Sequence, residues 1–228
     1  TLKAWLMANI TDIWGDVPYS QSMKANEGQY QPAFDKQEDI YEGILSDLEQ
    51  ANTIFATSST TISETSDILY AGNKTKWRKL CNSLRIRYLL RVSNQSSMNS
   101  GEKIQEIIDN PSKNPIFTSA ADGAIIYYSG TEPFINPFYN VKTNEFSGNF
   151  RMCSRLVKQM NATNDPRRSL YMTSIAGEYY GIDSGNDQAY ILEAMDNNGL
   201  GTSRFHTNLQ NKNYQYSLMS YSELQFCL

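Results

Sequence analysis

The chain has 228 residues, 40% of them hydrophobic and 19% charged, and its 20 basic and 24 acidic residues give a formal charge of −4. That length fits one large domain or two small ones, and the apolar fraction suits a packed core rather than a disordered chain. A net acidic chain is a poor match for a phosphate backbone, which excludes nucleic acid as the main partner, and no apolar run approaches the roughly 18 residues of a membrane-spanning helix.

The chain opens in mid-helix, with Leu2, Trp5, Leu6, Ala8, Asn9 and Ile13 at helical spacing and neither a cap nor an initiator Met before them. It is read as a piece of a longer protein. Gly15 and Pro18 stop this helix, and the turn "DIWGDVPYS" reads as a packing corner, because Trp and Tyr usually bury large apolar areas. After a polar connector comes "DKQEDIYEGILSDLEQAN". Here Asp35 can cap a helix with Glu38 at its third position, and Ile40, Tyr41, Ile44, Leu45, Leu48 and Ala51 form one apolar stripe. The Ser/Thr-rich run "ATSSTTISETSD" reads as an exposed loop.

The next helix, within residues 73–95, sets Trp77, Leu80, Cys81, Leu84, Tyr88 and Leu89 on one face. Lys76, Arg78, Lys79, Arg85, Arg87 and Arg91 flank it. Such flanks are expected to pair with acidic neighbours, including those of the preceding helix. "GEKIQEIIDN" is a short helix stopped by Asn110-Pro111. A strand is expected from Ala124 to Tyr128, inside an irregular stretch of Gly, Pro, Asn and aromatic residues that runs to about 149.

A helix near 151–163 places Met152, Leu156, Val157 and Met160 on one face. "SLYMTSIAGEYYGIDSGND" reads as short paired strands or a turn-rich insert. Ser220, with Glu223 three residues on, announces a further helix at 221–228. The pattern is one domain over 1–228, mainly α, with a helical part to about 110. A loop-rich part at about 111–219 carries a few short strands.

Three cysteines, Cys81, Cys153 and Cys227, lack metal-type spacing, and the first two are expected to be small buried hydrophobes. His206 is the single histidine, so any zinc site or Ser-His-Asp triad would depend on it. No glycine-rich phosphate loop is present. No cofactor and no metal are expected. Asp183, Asn186 and Asp187 lie close together, but their spacing departs from the twelve-residue calcium loop.

In order and spacing, "ITDIWGDVPYSQSM", "QPAFDKQEDIYEGILSDLEQAN", "LYAGNKTKWRKLCNSLRIRYLLRVS", "NDPRRSLY", "YYGI" and "SYSELQF" together resemble the SusD/RagB family of surface lipoproteins, in its SusD-like branch. The resemblance covers nearly the whole chain. It implies helix pairs arranged like tetratricopeptide repeats, with a loop-rich ligand face. It also implies a non-catalytic protein at the cell surface of the outer membrane, held by an N-terminal lipid anchor upstream of Thr1. Such a protein captures oligosaccharide or polysaccharide, or in some members peptide, for a TonB-dependent (SusC-like) transporter.

A sugar site needs aromatic faces against C–H patches and Asn, Asp, Gln or Arg to meet hydroxyls. The chain carries 15 Tyr and 9 Phe. They are densest in the Gly/Pro/Asn-rich stretch that holds Tyr128, Phe134, Asn136, Phe138, Tyr139 and Asn140, then Lys142, Asn144 and Phe146. A connector does not need so many rings, so these residues are the candidate site; the competing reading is that they cover the helical core. "YYGIDSGNDQAY" adds Tyr180, beside Tyr179, Asp183, Asn186 and Asp187. The rival activity, glycoside hydrolysis, needs two carboxylates about 5–10 Å apart. Asp183 with Asp187, or Asp12 with Asp16, would have to supply them.

Overall fold

The computed structural model describes residues 1–140, 150–196 and 201–228. In chain order its helices are α1 (Leu2–Trp14), α2 (Gln37–Thr57), α3 (Lys74–Arg91), α4 (Ser100–Asp109), α5 (Pro137–Asn140), α6 (Ser154–Ala162), α7 (Arg168–Tyr171), α8 (Gln188–Asp196) and α9 (Tyr221–Cys227). Strands β1 (Ala124–Ile126) and β2 (Tyr216–Met219) pair in a two-stranded sheet. The fold is mainly α, as expected, and its contacts form two compact units. One is Thr1–Ile126 with Ser217–Leu228, and the other is Tyr127–Tyr216. The strand expected at Ala124–Tyr128 stops at Ile126.

In the first unit α3 packs against α2, α4 and α9, and α1 packs against α2. Ile40, Ile44 and Leu48 of α2 meet Leu80, Leu84, Ile86 and Leu89 of α3 in one core. Truncating any of these leucines would cost about 2–5 kcal/mol. The single apolar face expected for α3 needs correcting. Asn82, Ser83 and Arg85 are buried as well, because helices lie on more than one side of it. Of its cations, Arg85 reaches Glu49 on the preceding helix (3.5 Å), as expected. Lys79 instead pairs with Asp122 (2.8 Å), Arg87 with Glu223 (3.2 Å) and Arg91 with Asp12 (2.8 Å).

The face of α1 also differs from expectation. Its buried residues are Ala4, Met7, Ala8 and Thr11, whereas Leu2, Leu6 and Ile13 are exposed. The turn after α1 is a corner, though not through its tryptophan, since Trp14 is 67% exposed. Gly15 adopts φ 74° and its N–H donates to the Thr11 carbonyl (2.8 Å), a left-handed stop that favours glycine. Val17 and Tyr19 carry the burial instead.

The expected Asp35 cap is also replaced. Lys36 stands at the N-cap of α2 with no side-chain bond, and Asp16 accepts from the Gln37 N–H (2.9 Å). Asp35 turns back to accept from the N–H groups of Tyr19 and Ser20 and from the Ser20 hydroxyl. These bonds, those of Ser20 foremost, hold its carboxyl below the ordinary range. The Tyr19 hydroxyl donates to Asp47 (2.7 Å), and its ring fills the place where a side chain at Gly43 would be: a Cβ there would lie 2.4 Å from the ring.

Cys81 is buried, as expected, and burial pushes its thiol up. Cys153 is exposed, contrary to expectation, because α6 begins one residue later and leaves it at the cap position. For the same reason Leu156 is 43% exposed while Val157 and Met160 face inward. The α9 cap is as read from the sequence, with the Ser220 hydroxyl accepting from the Glu223 N–H (3.1 Å).

Asp122 closes this unit's last turn before β1. Its Oδ2 accepts from Lys79 Nζ (2.8 Å), from the N–H and hydroxyl of Thr118, and from the Ser119 N–H. Burial opposes the charge, but these donors outweigh it and hold the carboxyl at about 2. A carboxyl depressed on folding adds stability above its unfolded pKa of about 4, and that stability fades as pH falls toward 2. Asp122→Asn is therefore expected to lose about 1–2 kcal/mol at neutral pH in urea unfolding. The gap to the parent protein closes between about pH 4 and 2; a gap independent of pH would exclude the charge as its source.

Candidate functional site

The second unit has a small core of Met152, Val157, Met160 and Met172, flanked by Tyr179 and Phe205. With so little apolar burial, its shape depends on backbone pairing. The Met152 N–H donates to the Ser203 carbonyl (3.0 Å), Ile182 to Met152 (2.8 Å) and Ser154 to Ile182 (2.8 Å). Ser203 then binds Tyr180 twice: its N–H donates to the Tyr180 carbonyl (2.8 Å), and its hydroxyl accepts from the Tyr180 N–H (3.0 Å). The stretch expected to hold paired short strands or a turn-rich insert is turn-rich: residues 169–187 form no strand but take part in isolated bridges at Ile175–Glu178, Met172–Phe205 and Cys153–Ile182, and begin within α7.

The aromatic segment begins with a tight turn. Gly130, at φ 79°, donates to the Phe134 carbonyl (3.2 Å), and Phe134 donates back to Thr131 (2.8 Å). The turn leaves Phe134 63% exposed. The chain then dips inward at Ile135 and Asn136, both buried. Asn136 fastens the segment: its amide Nδ2 donates to the carbonyls of Leu209 (2.9 Å) and Asn211 (3.1 Å), and its backbone N–H donates to Lys212 (2.8 Å). Its Oδ1 accepts from the Phe138 N–H (3.1 Å), which starts α5 and turns Phe138 outward, 46% exposed. Tyr139 is half-buried, with Lys212 Nζ 5.0 Å from its ring centre.

The candidate residues thus take different places. Phe134, Asn136, Phe138 and Tyr139 share one fastened segment, in which Asn136 belongs to the frame because both amide hydrogens are bound to backbone. Tyr128, half-buried, precedes the turn, and Asn140 ends α5. Tyr180, 43% exposed, stands on the separate ladder beside Ser203. Lys142, Asn144 and Phe146 lie outside the described residues. Tyr171, Tyr190 and Tyr214 of the same unit are also exposed and were not singled out from the sequence. Their rings sit in separate short elements, so no local cluster marks them.

The carboxylates that a hydrolase would need are engaged elsewhere. Asp12 accepts from the Tyr41 hydroxyl (2.5 Å) and pairs with Arg91, while Asp16 caps α2. Asp183 pairs with Lys158 (3.4 Å); the Ser154 hydroxyl foremost, then Lys158, holds its carboxyl down. Asp187 accepts from the Tyr190 N–H (2.8 Å) in the first turn of α8. Asn186 donates to the Asp183 carbonyl (3.3 Å). His206 accepts from the Asn208 N–H through Nδ1 (3.1 Å). Among the described residues no three His, Cys, Asp or Glu side chains gather as a metal site. What the unit offers is apolar ring surface on a fixed backbone, suited to stacking on C–H faces.

The family model described as "Starch-binding associating with outer membrane" (SusD-like) matches residues 1–228. Among solved structures, an outer membrane protein of Bacteroides vulgatus described as "probably involved in nutrient binding" is similar over 99% of this chain and 51% of its own, with 26% identity and a TM-score of 0.82. A SusD homologue of Bacteroides fragilis is similar over 99% of this chain and 50% of its own, with 28% identity and a TM-score of 0.77. The chain thus spans about half the length of these structures. No curated protein matches it.

The ladder holding Tyr180 has no room beside Gly181, where a Cβ would lie 2.4 Å from the Ser154 Cα. Gly181→Ala is expected to destabilise the second unit by about 1–3 kcal/mol. Hydrogen exchange at residues 152–154 and 180–182 should speed up accordingly. Gly101→Ala, where nothing lies within 4 Å, is the control and should leave the exchange unchanged.

Proposed function

The chain belongs to the SusD-like family of starch-binding proteins that associate with the outer membrane, and from that premise we propose that it captures oligosaccharide without catalysis. The observation that carries this reading is the fastened segment of the second unit. It spends a buried asparagine on backbone bonds and thereby holds Phe134 and Phe138 open to solvent. Exposed rings raise the free energy of a surface unless something covers them, and a sugar's C–H face is a flat, weakly polar cover. Rings on a preformed backbone also lose little entropy when they bind. Tyr128, Tyr139, Asn140 and Tyr180 complete the proposed face, and Asn136 holds the Phe138 end of it.

The rest of the reading follows family membership. Capture takes place at the cell surface, with the protein held by a lipid anchor and handing its glycan to a TonB-dependent, SusC-like transporter. The engaged state of Asp12, Asp16, Asp183 and Asp187 supports binding over hydrolysis. Glycan class and linkage depend on which hydroxyls meet the loop side chains.

Calorimetric titration with soluble starch, other neutral glycans and a peptide digest tests the proposal. Each ring contributes about 1 kcal/mol, so Phe134→Ala with Phe138→Ala should weaken glycan binding about 10- to 50-fold. Phe134 is 63% and Phe138 46% exposed, so the fold should survive the change with at most a small fall in melting temperature. Undiminished binding in the double variant would remove the site from this segment, and heat from peptides alone would overturn the glycan.

A further inference from the structure

The first unit contains a pocket of about 400 Å³, whose walls come from the end of α1, the start of α2 and the segment after α3. That size lies toward the low end of small-ligand sites, about 300–1,000 Å³. It suits one ring-sized molecule rather than a polymer segment. Its apolar lining includes Val92 and the buried Met98.

Its polar groups present both signs and both hydrogen-bonding roles. Asp12 is neutralised by Arg91 and also holds the Tyr41 hydroxyl. Arg91 places one nitrogen on Asp12, which leaves further guanidinium donors at the rim. Gln37 donates its amide to the Thr11 carbonyl (2.7 Å), so its Oε1 remains an acceptor. Glu38 engages the Ser97 hydroxyl through Oε1 only (3.4 Å). Gln95, exposed at the mouth, adds a donor and an acceptor.

Behind the wall, Tyr88 packs edge-on against Tyr41, with ring centres 6.3 Å apart. Its hydroxyl is buried without a hydrogen-bond partner among the described residues, although the charges of Arg87, Asp12 and Arg91 all act on it.

We infer that this pocket binds a single polyhydroxylated ring that carries no negative charge, a monosaccharide or a sugar terminus, separately from the aromatic face of the second unit. A hydroxyl both donates and accepts, so it matches interleaved donors and acceptors. Arg91 is offset by Asp12, so an anionic sugar would meet the uncompensated Glu38 carboxylate. The inference does not rest on the aromatic segment, and the two sites can be tested apart.

The buried Met98 methyl is the reporter. The whole chain, labelled with ¹³C at its methionine methyls, is titrated with glucose and glucuronate and followed by NMR. Glucose should shift Met98 saturably in the millimolar range while Met160 and Met172 of the second unit stay in place. Glucuronate should bind at least threefold more weakly. Gln95→Trp, at an exposed position, should block the mouth and weaken glucose binding at least tenfold. Glu38→Ala should weaken it severalfold, and Phe134→Ala with Phe138→Ala should leave it within twofold. A still Met98, a response to glucuronate equal to that to glucose, or unchanged binding in Gln95→Trp would overturn the assignment. Addition of amylose separates a free monosaccharide from a chain end: displacement of glucose by amylose assigns the pocket to termini, and no displacement to free sugar.

Discussion

The burial of α3 on more than one side is the constraint around which the first unit is arranged. A helix with neighbours on several faces must bury some of its polar side chains, and each then needs a partner. Asn82 donates to Asn52 and to the Pro115 carbonyl, Arg85 donates to Asn82 and Asn114, and Ser83 accepts from the Phe117 N–H. The same bonds lay the segment after α4 along the helix pair. The polar seam therefore sets the register of α2, α3 and the 110–118 stretch, where apolar contact alone would tolerate sliding.

The second unit solves a different problem with different means. Among the described residues the buried apolar ones, Ile135, Met152, Val157, Met160 and Met172, are too few to fix a long loop-rich chain, so backbone ladders and one asparagine take that role. Its rigidity is local and made of hydrogen bonds. That leaves Phe134 and Phe138 outside the small core, while Tyr179 and Phe205 flank it. Ring surface and fixed backbone arise together because the one is released by the other.

Much of the helical pattern was legible in the sequence. The stripe of α2, the stop at Asn110-Pro111 and the Ser220 cap are local signals, and the structure bears them out. The face of α1 and the extra burial of α3 depend on which neighbours arrive, and no periodicity records that. The cap of α2 was hidden for a related reason. Asp35 and Asp16 both stand near the helix start, and only the path of the corner decides that the distant one caps. Trp14 misled through residue type, since its exposure is a property of the corner and not of tryptophan. In the aromatic segment, composition pointed to a cluster of rings. It could not separate the outward Phe134 and Phe138 from the inward Asn136, because alternation in an irregular turn follows from individual hydrogen bonds.

The glycine in the middle of α2 has a consequence for how the sequence can change. Gly43 weakens the helix by about 1 kcal/mol relative to alanine, and in return leaves a slot that the Tyr19 ring occupies, with its hydroxyl on Asp47. Neither residue can drift alone: a side chain at 43 collides with the ring, and a small residue at 19 leaves a void beside an unhelpful glycine. The two positions, 24 apart in the chain, therefore form one heritable unit, expected to vary as a pair or not at all.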